Sequence, residues 1–187
     1  MAIFPASAIP SAAADFTIPY SCRFNHADDA SFSKTWGGAP TSGQKYTVSV
    51  WTKLCKGEVF RYFTPIYSTA GGDEDEDLAC FYDDNTAGGT NTLRVIWEDT
   101  GGSNLRRSYQ VFRDPSDWYH LVFAWDSTQS TAADRLKVYV NNELLTSWRA
   151  DISEGGDPDL NQTFRWNANG ETCSIGRWTR FSGGVFD

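Results

Sequence analysis

Histidine and methionine are almost missing from this chain: His26, His120 and Met1 are the only ones in 187 residues. With two isolated histidines and no HExxH pattern, the sequence carries no histidine-pair zinc motif. No GxSxG element is present, so the strand–turn–helix nucleophile that it marks is not expected either. The four cysteines, Cys22, Cys55, Cys80 and Cys173, form no CxxC pair. Four cysteines allow three pairings. Cys22 alternates in phase with Tyr20 and Phe24, and Cys173 with Ile175, so both read as small buried hydrophobes. All four are expected as free thiols of a chain made in a reducing cytoplasm.

Basic stripes are missing too. Sixteen Lys and Arg stand against 24 Asp and Glu, for a net charge of −8. Nucleic acid and anionic membrane surfaces, which need clustered cations, are therefore not expected partners. No apolar run approaches the roughly 18 residues of a membrane-crossing helix. No Lys or Arg precedes Arg23, and Pro5 and Pro10 interrupt the apolar start, so no signal peptide is expected despite the cleavage-like Ala12-Ala13-Ala14. Helix-forming runs of Ala, Leu, Glu and Lys are also lacking.

What the chain has is aromatic side chains, 15% of the total, with eight Trp and twelve Phe. They supply enough apolar area for a sizeable single core. The most informative stretch is residues 118–145, WYHLVFAWDSTQSTAADRLKVYVNNELL. Tyr119, Leu121, Phe123 and Trp125 alternate with His120, Val122, Ala124 and Asp126, which places one aromatic-aliphatic row on a single strand face. Leu136, Val138 and Val140 repeat the pattern. Asn141-Asn142 then forms a tight turn into a third strand, because Asn tolerates positive φ. Residues 128–134 fit one helical turn.

Along the chain, residues 1–16 form a Pro/Ala/Ser arm, and residues 17–187 read as one β-domain. Strands are expected at 18–25, 30–34, 45–54, 60–68, 78–83, 91–98, 106–112, 118–126, 135–141, 143–148 and 172–178. Gly37-Gly38, Gly71-Gly72, Gly88-Gly89, Gly101-Gly102, Asp114-Pro115 and Gly155-Gly156 punctuate them with turn chemistry. Many short strands at such spacing predict an all-β, two-sheet antiparallel sandwich. The polar loop 150–170 is long enough to be either functional or mobile.

Four blocks carry a family resemblance: YTVSVWTKL at 46–54, WYHLVFAWDST at 118–128, DRLKVYVNNELL at 134–145 and CSIGR at 173–177. Their order resembles the laminin-G-like (LamG), concanavalin-A-like jelly roll. More narrowly, IPYSCRFN at 18–25, VFRDPSDWYH at 111–120 and RFSGGVFD at 180–187 are similar to a group of bacteriophage virion proteins that carry this domain. In that group the closing Phe-Asp usually opens a further strand. The resemblance thus implies a jelly roll lacking its closing strand, with an edge that a neighbouring subunit or a longer chain covers.

Candidate sites each have a plain structural alternative. The acidic run DEDEDLACFYDD at 73–84 holds seven carboxylates. Because rim calcium sites occur in laminin-G-like domains, the resemblance implies a calcium loop using Asp73, Asp75, Asp77 or Asp83. The alternative is a solvated hairpin loop, and it is favoured because DxDxDG spacing is absent. Paired carboxylates interleaved with apolar residues, as a glycosidase strand requires, are also absent. Trp51, Trp148, Trp166 and Trp178 are candidate platforms for a sugar ring, since each falls near a loop, a strand end or an outward face. Packing beneath a loop is the ordinary alternative. His120 points away from Leu121 and Phe123, and the resemblance implies a structural hydrogen bond for it.

The sequence therefore predicts no enzyme. The resemblance implies a structural and adhesive protein of the virion, assembled in the host cytoplasm: a capsid decoration, head-fibre or tail-fibre module. The arm would dock on other virion proteins or on copies of the same chain, with the sandwich facing outward. The alternative is a lectin module for host or environmental polysaccharide. No cofactor is expected other than the calcium considered above.

Overall fold

The computed structural model describes residues 20–24, 30–53, 62–69, 78–84, 89–99, 102–114, 116–149, 156–166 and 168–176. Among the described residues ten strands follow in chain order: β1 Phe32–Thr35, β2 Lys45–Lys53, β3 Tyr62–Thr69, β4 Leu78–Asp84, β5 Gly89–Asp99, β6 Gly102–Val111, β7 Trp118–Asp126, β8 Leu136–Val140, β9 Glu143–Leu144 and β10 Thr172–Ile175. They form two antiparallel sheets, one ordered β1-β10-β3-β4-β5-β6 and the other β2-β7-β8-β9. The only helical element among the described residues is a 3₁₀ turn at Ala132–Asp134, inside the segment expected to turn once. No helix among them is long and apolar enough to cross a membrane.

The alternation in residues 118–126 produces the β7 geometry directly. Tyr119, Leu121, Phe123 and Trp125 are buried, while the residues between them are less covered and lie on the opposite face. β8 follows the same rule, with Leu136, Val138 and Val140 inward. Asn141 and Asn142 take φ of 49° and 72°, so the left-handed turn that asparagine tolerates closes Val140 against Glu143.

Both sheets feed one core. Leu93, Val95 and Trp97 of β5 pack in the same cluster as the inward rows of β7 and β8. Trp97 meets Trp125 across the sheets edge to face, with ring centroids 6.2 Å apart. Burying each large apolar side chain of this kind contributes about 1.5–3 kcal/mol, so the cluster supplies most of the drive for bringing the sheets together.

Where the β5–β6 register shifts between Thr92 and Arg94, the Leu93 amide donates to Ser108 Oγ at 2.9 Å, and the hydroxyl donates on to the Gln110 carbonyl at 2.7 Å. The buried amide thus keeps a partner through the irregularity.

Three expectations are corrected. Residues 20–24 are irregular chain rather than part of a strand, and Cys22 is exposed rather than buried. The apolar period there faces a cleft, not the core. The strand expected at 143–148 ends at Leu144. Beyond it the chain crosses to the other sheet, where the Tyr109 amide donates to the Ser147 carbonyl and the Arg149 amide to the Arg107 carbonyl. The long loop, in its described part, is built into the core. Phe164 and Trp166 are both buried, Phe164 lies 3.9 Å from the Trp125 ring centre, and its amide donates to the Gly43 carbonyl. Two arginines hold the start of this segment: Arg135 donates to the Pro158 carbonyl, and Arg106 pairs with Asp157.

Candidate functional site

Seven large apolar side chains are exposed among the described residues, and four of them line one cleft: Tyr20 (85% exposed), Phe32 (54%), Trp51 (51%) and Trp118 (46%). The cleft has a volume of about 630 Å³; Phe24, Val50 and Ile175 complete its apolar wall, and Ser21 and Cys22 add a hydroxyl and a thiol. Scattered apolar side chains on a surface are ordinary, but rings converging on one concavity mark a contact site.

Strand pairing brings the two tryptophans together. β2 and β7 pair with Trp51 opposite His120 and Lys53 opposite Trp118. Trp51 and Trp118 are therefore diagonal neighbours on the face turned away from the core, at a spacing that large rings span. His120 backs Trp51: the rings stack at 4.7 Å between centroids and 14° between planes. The imidazole is itself held by Ser49, whose Oγ lies 2.9 Å from His120 Nε2. The His120 amide donates to Asn141 Oδ1 at 2.8 Å, and the Asn141 amide donates to the His120 carbonyl at 2.8 Å. The asparagine turn thus fixes His120, and His120 fixes one face of Trp51.

Trp118 is set by the turn before it. Asp114 Oδ1 accepts the Ser116 amide at 2.7 Å, and bonds from the Ser116 hydroxyl and then its amide hold the Asp114 carboxyl below the usual carboxylate range. The Lys53 ammonium lies 6.0 Å from the Trp118 ring centre. At the other end of β7, Asp126 is held well below the usual carboxylate range by the Thr128 hydroxyl first, then by the Gln129 amide, with Lys45 at 3.2 Å.

The opposite wall comes from the first sheet. Phe32 and Ile175 are register partners on β1 and β10. Phe24 meets Phe32 edge to face at 5.2 Å and 86°. Phe24 also lies over Gly176, which has φ of 83°; a Cβ at that position would run into the Phe24 ring. Only glycine allows this approach in this backbone conformation. The ring anchors residues 20–24 along the cleft.

The tryptophans singled out from sequence do not gather into one platform. Trp51 lies in the cleft. Trp148 is half-buried against the core, with the Arg106 guanidinium 5.4 Å over its ring. Trp166 is 2% exposed and belongs to the core, so it offers no face for stacking. Trp178 lies outside the described residues. So do Asp73, Asp75 and Asp77 of the acidic run, whereas Asp83 falls on β4 at the register shift between Tyr82 and Asp84. Among the described residues no group of three or more His, Cys, Asp or Glu side chains is placed to hold a metal ion.

Trp118, Tyr20 and Phe32 escaped sequence reasoning. For Trp118 a signal was present: it stands one place out of phase with the buried row, and so faces outward. Neither Tyr20 nor Phe32 carries such a signal, because their meeting with β2 depends on sheet topology. What the cleft offers chemically is ring faces and aliphatic surface, suited to burying apolar groups or stacking planar or sugar-like ones. No protein-family model and no curated protein matches the chain.

Proposed function

We propose that this chain is a non-enzymatic structural and adhesive component of a bacteriophage particle, a capsid decoration or fibre module with an outward-facing LamG-like jelly roll. Residues 1–16 dock it to neighbouring virion proteins. The sequence blocks at 46–54, 118–128, 134–145 and 173–177 support the jelly-roll assignment, and those at 18–25, 111–120 and 180–187 support the viral one. The observation that carries a contact role is the convergence of Tyr20, Phe32, Trp51 and Trp118 on one open cleft. Many copies on a particle turn modest single-site affinity into firm attachment. Deleting residues 2–16 abolishes incorporation into particles while far-ultraviolet and thermal signatures of the fold persist; a truncated chain that still assembles defeats the docking role.

A second reading, a carbohydrate-binding module for surface polysaccharide, is favoured by the half-exposed Trp51 ring backed by His120. Saturable glycan-array binding that disappears in Trp51→Ala supports it, and a blank array removes it.

A further inference from the structure

We infer that the aromatic cleft is the acceptor for the Pro/Ala arm of a second copy of this chain. The inference rests on the docking role proposed for that arm and names its receptor.

The arm and the cleft match in chemistry. Residues 1–16, MAIFPASAIPSAAADF, carry one charged side chain, Asp15, and present Ile3, Phe4, Ile9 and Phe16 among alanines and prolines. Pro5 and Pro10 fix their own φ and push Phe4 and Ile9, the residues before them, toward extended or polyproline geometry. Such segments lose little entropy on binding and dock in grooves lined by aromatic rings. The cleft is lined in that way, by Trp51, Trp118, Tyr20 and Phe32 with Val50 and Ile175. Lys53, beside Trp118, supplies a cation that suits the single carboxylate of the arm.

Reach and charge favour exchange between copies. Sixteen residues in polyproline geometry span about 50 Å, well beyond the roughly 16 Å radius of gyration of a domain of this size. Two chains of net charge −8 repel each other, and an arm with a single carboxylate joins them without pressing their acidic surfaces together. Tyr20, four residues after the arm in sequence, lines the cleft.

The test uses the full chain in sedimentation velocity over a range of concentrations, with a synthetic peptide of residues 1–16 as competitor. Expected are species heavier than the 20.9 kDa monomer that grow with concentration and that the peptide dissociates. Trp51→Ala and Trp118→Ala, both on an exposed face, should weaken self-association about tenfold or more while the chain stays folded. Phe4→Ser with Ile9→Ser should do the same. A chain that is monomeric at every concentration, including one whose cleft binds the peptide only after its own arm is altered, overturns the inference. Assembly lost on altering the arm but indifferent to both tryptophan variants also overturns it, while leaving arm docking in place. If the arm variant keeps both self-association and particle incorporation, the docking role falls as well.

Discussion

Trp51 and His120 face each other across the β2–β7 pair and stack ring on ring at 4.7 Å, on the side of the sheet away from the core. The pair joins the sheet's own geometry to the cleft, because the second face of the indole is free to serve as contact surface. Stacked aromatic pairs contribute about 0.5–1.5 kcal/mol beyond burial. A double-mutant cycle of Trp51→Ala and His120→Ala, read by urea unfolding, is expected to return a coupling energy in that range. Additive losses would show that the two rings are held independently.

Gly176 gives a prediction for the other wall. Alanine there meets the Phe24 ring and must adopt φ of 83°, at a cost of about 1–3 kcal/mol. Gly176→Ala should lower the melting temperature and release residues 20–24 from the cleft, seen as faster proteolysis near Arg23. A variant that melts and cleaves like the parent would mean that Phe24 does not anchor this segment.

The core makes the largest demand. Phe123 is fully buried and meets Trp166, from the segment before β10, edge to face. Phe123→Ala removes that packing and leaves a cavity, which costs about 3–5 kcal/mol. Urea denaturation measures this as a lower midpoint at an unchanged slope.

At the Asn141-Asn142 turn, positive φ makes the residue type decisive. Asn142→Val places a β-branched side chain in the left-handed region and should destabilise by about 1–2 kcal/mol. Asn142→Gly should be neutral or slightly stabilising. Thermal melting of the two variants separates a backbone requirement from a side-chain one.

Asp126 sets part of the acid response. Its carboxyl is depressed by the Thr128 hydroxyl and the Gln129 amide, with Lys45 adding to them. A group with a lowered folded-state pKa adds stability above its unfolded pKa, near 3.9, and that stability is lost as pH falls toward the folded value. The melting-temperature gap between wild type and Asp126→Asn should therefore be full above about pH 4 and close below it. A gap that is constant down to pH 2 would remove this role.

Strands were legible where one face is wet and the other dry. The β7 row, the β8 row and the asparagine turn follow from period and φ tolerance alone. The period in Tyr20, Cys22 and Phe24 has the same form and misleads, because its apolar side meets a cleft built with β1, β2, β7 and β10. Trp166 sits in a polar stretch, yet it closes the core from a loop, as Phe164 does. Such residues cannot be told from surface aromatics without knowing what passes over them. The pairing of Trp51 with Trp118 needs β2 beside β7, strands far apart in sequence, so local pattern could place each ring outward but not together.

The central claim, that the cleft is the chain's contact surface in the particle, is tested most directly by a photo-crosslinker in place of Trp51. Particles assembled with this variant and irradiated should yield a covalent adduct to another polypeptide chain, mapped by mass spectrometry. Incorporation into particles with no adduct from position 51 to any partner would contradict it.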